Sequence, residues 1–169
     1  KEIQENSEYN NALDLLNTAS QDIRKISHAL MPSALERLGL IDAVEQFCTQ
    51  MQNSGNFEID FQHYGFDERL PQKLELLVYR IIQELMQNML KHSKAKNAFL
   101  QIMIQQKLVS IYVEDDGIGM IANVENTGVG LKSIETLVQL LKGSCRIESN
   151  EKDGFSISIE FNQYENENL

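Results

Sequence analysis

Glu84-Leu85-Met86-Gln87-Asn88-Met89-Leu90-Lys91-His92 is the stretch on which the reading of this chain turns. Glu84 and Asn88 are four residues apart and Lys91 is three further on, so on a helix they share one face, with His92 beside them. A carboxylate, an amide oxygen and a cation in one row suit a magnesium–phosphate site: oxygen ligands hold Mg²⁺, and Lys or His balances phosphate charge. The same row also suits the wet side of an amphipathic helix, and alone it decides nothing. Two glycine-bearing stretches follow. Glu114-Asp115-Asp116-Gly117-Ile118-Gly119-Met120 comes after a run that reads as a strand ending at Val113. Its glycines let backbone approach a planar or phosphorylated ligand, and a carboxylate just before them can accept from an exocyclic amine. Thr127-Gly128-Val129-Gly130-Leu131 then opens a helix, whose first amides can hold an anion. A hairpin turn and a flexible helix entry are the plain alternatives. GxGxxG and GxxxxGKS are both absent, which excludes the Rossmann and P-loop readings.

Working outward, Leu74, Leu77, Val78, Ile81, Leu85 and Met89 give the central helix an apolar face, with Pro71 near its start. Phe57, Ile59 and Phe61 alternate with Glu58, Asp60 and Gln62, as in a half-buried strand. Residues 97–105 and 108–114 read as strands joined by a tight Gln106-Lys107 turn. A helix is expected over 131–141, closed by Gly143, then strands over 144–149 and 155–161 and a polar, frayed tail over 163–169. His63 ends its strand as a structural residue. Strands in adjacent pairs rather than βαβ units predict an α+β fold, a mixed sheet covered on one face by helices.

The chain has 169 residues, 42 % of them hydrophobic and 24 % charged, a globular balance. With 15 Lys+Arg against 25 Asp+Glu, the net charge is −10. That excludes nucleic acid and anionic membrane surfaces as partners held by the general field of the protein. No apolar run is long enough to span a bilayer, and no signal peptide precedes the first helix-like segment. Cys48 and Cys145 are the only cysteines, which fits a reducing, cytoplasmic setting, and no zinc-binding spacing exists.

Tyr9, Ala12, Leu16, Ala19, Ile23, Ile26 and Leu30 recur at alternating spacings of three and four, a heptad seam that asks for helical partners. Met31-Pro32 ends that helix. Ser33–Leu38 makes a short turn before Gly39, and Leu40, Val44, Phe47 and Met51 mark another helix, followed by the turn cluster Asn53-Ser54-Gly55-Asn56. The expected division is a helical segment over 1–38 and a globular domain over 39–169. The opening at Lys1, without Met, reads as a piece of a longer protein.

In combination and order, the three stretches resemble the GHKL ATPases. Glu84-x-x-x-Asn88-x-x-Lys91-His92 is similar to the asparagine box. The Asp116-Gly117-Ile118-Gly119 segment is similar to the first glycine box, with Asp116 taken as its aspartate, and Gly128-x-Gly130-Leu131 to the second. A short gap from Gly119 to Gly128, and Ile26-Ser27-His28-Ala29-Leu30-Met31-Pro32 followed by Leu38-Gly39-Leu40, resemble the sensor histidine kinases that signal to LuxR-type response regulators. The resemblance implies the two-layer Bergerat fold, ATP and Mg²⁺ as cofactors, and phosphoryl transfer to a His for relay to a response regulator. It implies that Asp116 reads the adenine amino group, Asn88 ligates Mg²⁺ and Glu84 is or positions the base. Lys91 and His92 then lie near the phosphates, and Gly117, Gly119, Gly128, Val129, Gly130 and Leu131 form the closing loops. Partners implied are the response regulator and a second copy through the N-terminal helix, with the parent either free or anchored in the inner membrane.

Two positions depart from the family pattern. Phe155 stands where the family has a Thr entering its last strand, with Ser156 as a candidate substitute. The family's acceptor His is followed by an acidic residue, and no such motif exists here. His28 is followed by Ala29 and reads as a junction residue. The chain is thus expected to bind ATP without phosphorylating itself. A nucleotide-free dimerising scaffold and a GHKL serine kinase are the competing readings.

Overall fold

The structure, a computed structural model, describes residues 32–54, 57–119, 129–150 and 154–166. The expected heptad helix over 1–30, His28 and Gly128 lie outside the described residues. The elements in order are α1 (Ser33–Leu38), α2 (Leu40–Ser54), β1 (Glu58–Tyr64), α3 (Gln72–His92), β2 (Asn97–Gln105) and β3 (Leu108–Asp115). Then come α4 (Val129–Leu140), β4 (Ser144–Asn150), β5 (Gly154–Asn162) and a 3₁₀ turn at Tyr164–Asn166.

The five strands form one mixed sheet in the order β1-β2-β3-β5-β4, with β1 parallel to β2 and the other pairs antiparallel. Alternation decides its two faces. Leu100, Ile102, Ile111, Val113, Ile157 and Ile159 point one way and are buried. Glu58, Asp60, Glu114 and Glu160 point the other way and are exposed. The helices cover only the apolar face, as expected of an antiparallel-rich sheet with one wet side. Leu74, Val78, Ile81, Ile82, Leu85 and Met86 of α3 are buried in the same core as Val44 and Cys48 of α2 and Ile134 of α4. The α+β, two-layer expectation is met.

Particular boundaries differ from the sequence expectation. Ser33–Leu38, grouped there with the N-terminal helix, packs into this core through the fully buried Leu35. β3 runs two residues beyond Val113 and ends at Asp115. Within the tail expected to fray, residues 163–166 are described, and buried Asn166 donates through Nδ2 to the carbonyls of Leu141 (2.9 Å) and Asn162 (2.8 Å). A side-chain amide that satisfies carbonyls at the end of α4 has no periodicity to announce it. His63 lies within β1, exposed, with its ring near Phe61 and Phe66. Cys48 is buried, and burial pushes its thiol up to about 12, while Cys145 is exposed.

Candidate functional site

The site gathers on the C-terminal half of α3. Glu84 and Asn88 lie on one face of this helix, as their spacing predicts, and Asn88 Nδ2 donates to Glu84 Oε1 at 3.3 Å. Both are half-buried, whereas Lys91 and His92, one turn on, are exposed. Gly130, the second residue of α4, sits directly against this pair. A Cβ there would collide with Glu84 Oε1 and lie 2.6 Å from Asn88 Nδ2. Gly130 thus lets the start of α4 approach the Glu84–Asn88 face closely, where a side chain would displace the ends of both. Leu131 beside it packs partly against the core.

The loop after β3 is bonded to the end of α3. Ser93 closes the helix: its N–H and its hydroxyl both donate to the Met89 carbonyl, at 2.9 and 2.8 Å. Its carbonyl in turn accepts the Ile118 N–H at 2.8 Å. Gly117 lies so close to the Ser93 carbonyl and to Asp115 Oδ1 that no side chain fits there. Gly119 follows with φ of 67°, a left-handed conformation. The loop therefore lies against the end of the helix that carries Glu84 and Asn88.

Within that loop the two aspartates divide. Asp115 is the last residue of β3, paired with Ala98 on β2 and Phe155 on β5, and its side chain points to the helix-covered face. It is 3 % exposed. Oδ1 accepts the Gly117 N–H at 2.8 Å, and Oδ2 is buried with no hydrogen-bond partner among the described residues. Desolvation raises its pKa above the ordinary carboxylate range, against the lowering effect of the Gly117 amide. A buried acceptor left unpaired is costly, on the order of 1–3 kcal/mol; among the described residues Asn166 Oδ1 is the other such atom.

Asp116 is different. Oδ1 accepts the N–H groups of Lys96 (2.8 Å) and Asn97 (2.9 Å), and Oδ2 accepts Asn97 Nδ2 at 2.6 Å. These bonds hold its pKa below the ordinary range. Both oxygens of Asp116, the carboxylate that the sequence reading offers to a ligand, are thus engaged within the chain. β3 runs on past Val113 to Asp115. Successive strand residues face opposite sides, so the position of the strand's end decides which aspartate points inward. The Asp115-x-Gly117-x-Gly119 spacing was the available signal.

Phe155, directly across from Asp115, shares its face and packs on the core. Ser156 pairs with Glu114, so it belongs to the opposite face and cannot replace Phe155 beside Asp115. Among the described residues no group of three or more His, Cys, Asp or Glu forms a metal cage. A divalent ion here would rest on one or two protein oxygens and on phosphate, the manner in which Mg²⁺ is usually held.

Residues 73–165 match the family described as histidine kinase-, DNA gyrase B-, and HSP90-like ATPase. The signal transduction histidine-protein kinase/phosphatase DegS of Brevibacillus brevis is 30 % identical over 146 residues, covering 86 % of this chain and 38 % of that protein. The sensor histidine kinase ComP of Bacillus subtilis is 35 % identical over 140 residues, covering 81 % of this chain and 18 % of that protein. The chain thus spans well under half the length of these relatives. A solved blue-light activated histidine kinase from Erythrobacter litoralis has the same fold, with a TM-score of 0.68 at 14 % identity, covering 92 % of this chain and 52 % of that one.

Proposed function

The chain belongs to the histidine kinase-, DNA gyrase B-, and HSP90-like ATPase family, and from that membership we propose that it is the ATP-binding catalytic portion of a two-component sensor histidine kinase. In this reading it binds ATP with Mg²⁺ and presents the γ-phosphoryl to a His in the dimerisation helices of the full-length protein. The observation that supports it most is the buried, unpartnered Oδ2 of Asp115 in a glycine loop bonded to the end of α3. An adenine amino group is a donor of the type this oxygen lacks.

The roles then distribute by chemistry. Asp115, rather than Asp116, accepts from the exocyclic amine. Asn88, whose Nδ2 donates to Glu84 and whose amide oxygen is a hard donor, is the protein ligand suited to Mg²⁺, which neutralises phosphate charge when bound. Glu84 takes, or orients the group that takes, the proton released by the acceptor imidazole as its nitrogen bonds phosphorus and ADP leaves. Lys91, a cation, and His92, an imidazole donor, are exposed and within reach of solvent-facing phosphates. The start of α4, whose Gly130 rests on the Glu84–Asn88 pair, closes the loop side of the site. A response regulator of the LuxR-linked type and a second copy joined through residues 1–30 are the proposed partners. The proposed setting is the cytoplasm. No helix among the described residues is long and apolar enough to cross a membrane.

Calorimetric titration of ATP with Mg²⁺ into the chain tests the reading. Binding is expected for the wild type and a loss of about 100-fold for Asp115→Asn, the scale of one buried hydrogen bond to a charged group. Absence of binding by the folded wild type selects the nucleotide-free scaffold instead, with Phe155 filling the space beside Asp115. Acid-labile phosphate on His28 after incubation with ATP would overturn the proposal that the acceptor lies outside this chain. Phosphoserine on the natural substrate would select the serine-kinase reading.

A further inference from the structure

Asp116 lies next to the nucleotide-reading aspartate but bonds to a different part of the chain. Its carboxylate takes the backbone N–H groups of Lys96 and Asn97 and the Asn97 side-chain amide. Its own N–H donates to the Asn97 carbonyl at 3.2 Å. Four hydrogen bonds therefore fasten one residue to the entry of β2. The segment they fasten is an unusual turn: Lys94 has φ of 55°, a left-handed conformation that a side chain disfavours. The N–H groups that emerge from this turn at 96 and 97 need acceptors, and the Asp116 carboxylate supplies them.

The consequence falls on the residues either side. Two steps beyond Asp116, the Ile118 N–H donates to the carbonyl of Ser93, which begins the same turn. Between these two anchors lies Gly117, whose N–H sets the orientation of the Asp115 carboxylate through Oδ1. With Oδ1 fixed, the direction of the unpaired Oδ2 is fixed as well. We propose that Asp116 is a positioning residue for the nucleotide site: it does not touch ATP, but ties the loop over 115–118 to the turn over 93–97 and so aims Asp115. This inference rests on the ATP-binding reading and on the assignment of Asp115. It also makes the adenine-reading loop and the Lys91–His92 end of α3 one rigid unit, because residues 93–97 continue directly from that end.

The test uses Asp116→Asn, and the reciprocal double substitution D116N/N97D. In the single variant the new NH₂ group meets the Asn97 NH₂, two donors face to face, and the bond between the two side chains is lost. In the double variant the amide oxygen at 116 keeps the two backbone N–H groups, and its NH₂ donates to the new carboxylate at 97. Two readouts are needed: ATP affinity by calorimetry, and exchange of the Gly117 amide by NMR without nucleotide. We expect D116N to lose about tenfold in ATP affinity while still preferring ATP over GTP, and its Gly117 amide to exchange several-fold faster. The double variant should return both quantities to within about threefold of wild type. D115N should instead lose the preference for ATP over GTP.

Reduced affinity with unchanged Gly117 protection would overturn the inference, because Asp116 would then act on the ligand directly. Unchanged affinity together with unchanged protection would overturn it as well. So would failure of the double variant to recover. If the wild type binds no ATP, the functional reading fails, while the exchange data still decide whether Asp116 holds the loop.

Discussion

A buried carboxylate lies near each end of α3, Glu75 on the helix itself and Asp115 at the end of β3, and the two are treated in opposite ways. At the N-terminal end, Glu75 is 2 % exposed, and both its oxygens take N–H groups from Arg69, at 3.2 and 2.7 Å. Arg69 continues to the carbonyls of Leu35 (3.0 Å) and Glu36 (3.4 Å), so one guanidinium joins α1 to α3. Toward the C-terminal end, Asp115 is equally buried, with one oxygen satisfied and the other left open. A buried charge balanced from within the chain marks a structural joint. A buried charge left half-balanced marks a place prepared for something from outside. The comparison assigns stability to the first and binding to the second, and each half of that statement can be broken.

The largest expected effect is on nucleotide. Asp115→Asn should cut ATP affinity about 100-fold yet leave the chain at least as stable at neutral pH. The sign follows from the raised pKa of Asp115. Its protonated form is favoured by folding, so that contribution is complete below the ordinary carboxylate value and is lost as pH rises through the folded value. The gain from D115N in thermal midpoint should therefore be greatest near pH 7 and shrink toward pH 4. A lower midpoint for D115N at pH 7 would place Asp115 with Glu75 and collapse the comparison.

Next come the variants of the joint. Glu75→Gln keeps an acceptor and should cost about 1–2 kcal/mol in denaturant unfolding. Arg69→Met should cost more, because it leaves Glu75 buried without its cation. Neither should change ATP affinity by more than about twofold, and a large affinity loss in R69M would show that the joint and the site are one unit.

Gly130→Ala sharpens the comparison from the other side. In a helix Ala is ordinarily favoured over Gly by about 1 kcal/mol. Here the new methyl would meet Glu84 and Asn88, so the chain should instead lose about 1–2 kcal/mol and about tenfold in ATP affinity. Stabilisation by this substitution would mean that α4 does not press on that face. The smallest effect should come from Arg146→Ala. Its ion pair with Glu148 at 2.7 Å joins side chains 80 % and 62 % exposed, and removal should move stability by under about 0.5 kcal/mol.

Much of this was legible in the chain. The spacing of Glu84, Asn88 and Lys91 on an amphipathic helix needs only the helical period, and the period-2 runs of β1, β2 and β3 mark their own inner faces. Less local facts were not legible. The Arg69 joint links residues 33 positions apart or more to α1, and no pattern in either segment signals the other. Asn166, 25 residues from the Leu141 carbonyl it satisfies, reads in sequence as one more polar residue of a tail.

The pair Asp115-Asp116 shows where the boundary falls. The sequence by itself determined that a carboxylate stands before two glycines after a strand, and that a second glycine pair opens a helix. Composition and local period suffice for that, because they are properties of neighbours along the chain. Which of two adjacent carboxylates turns into the helix layer was decided only by tertiary structure. β3 stays in register with Ala98 and Phe155 as far as Asp115, and that register is a contact between distant segments. A slip of one residue in that register would exchange the faces, so the inward-facing carboxylate is set by strand pairing and not by the motif alone.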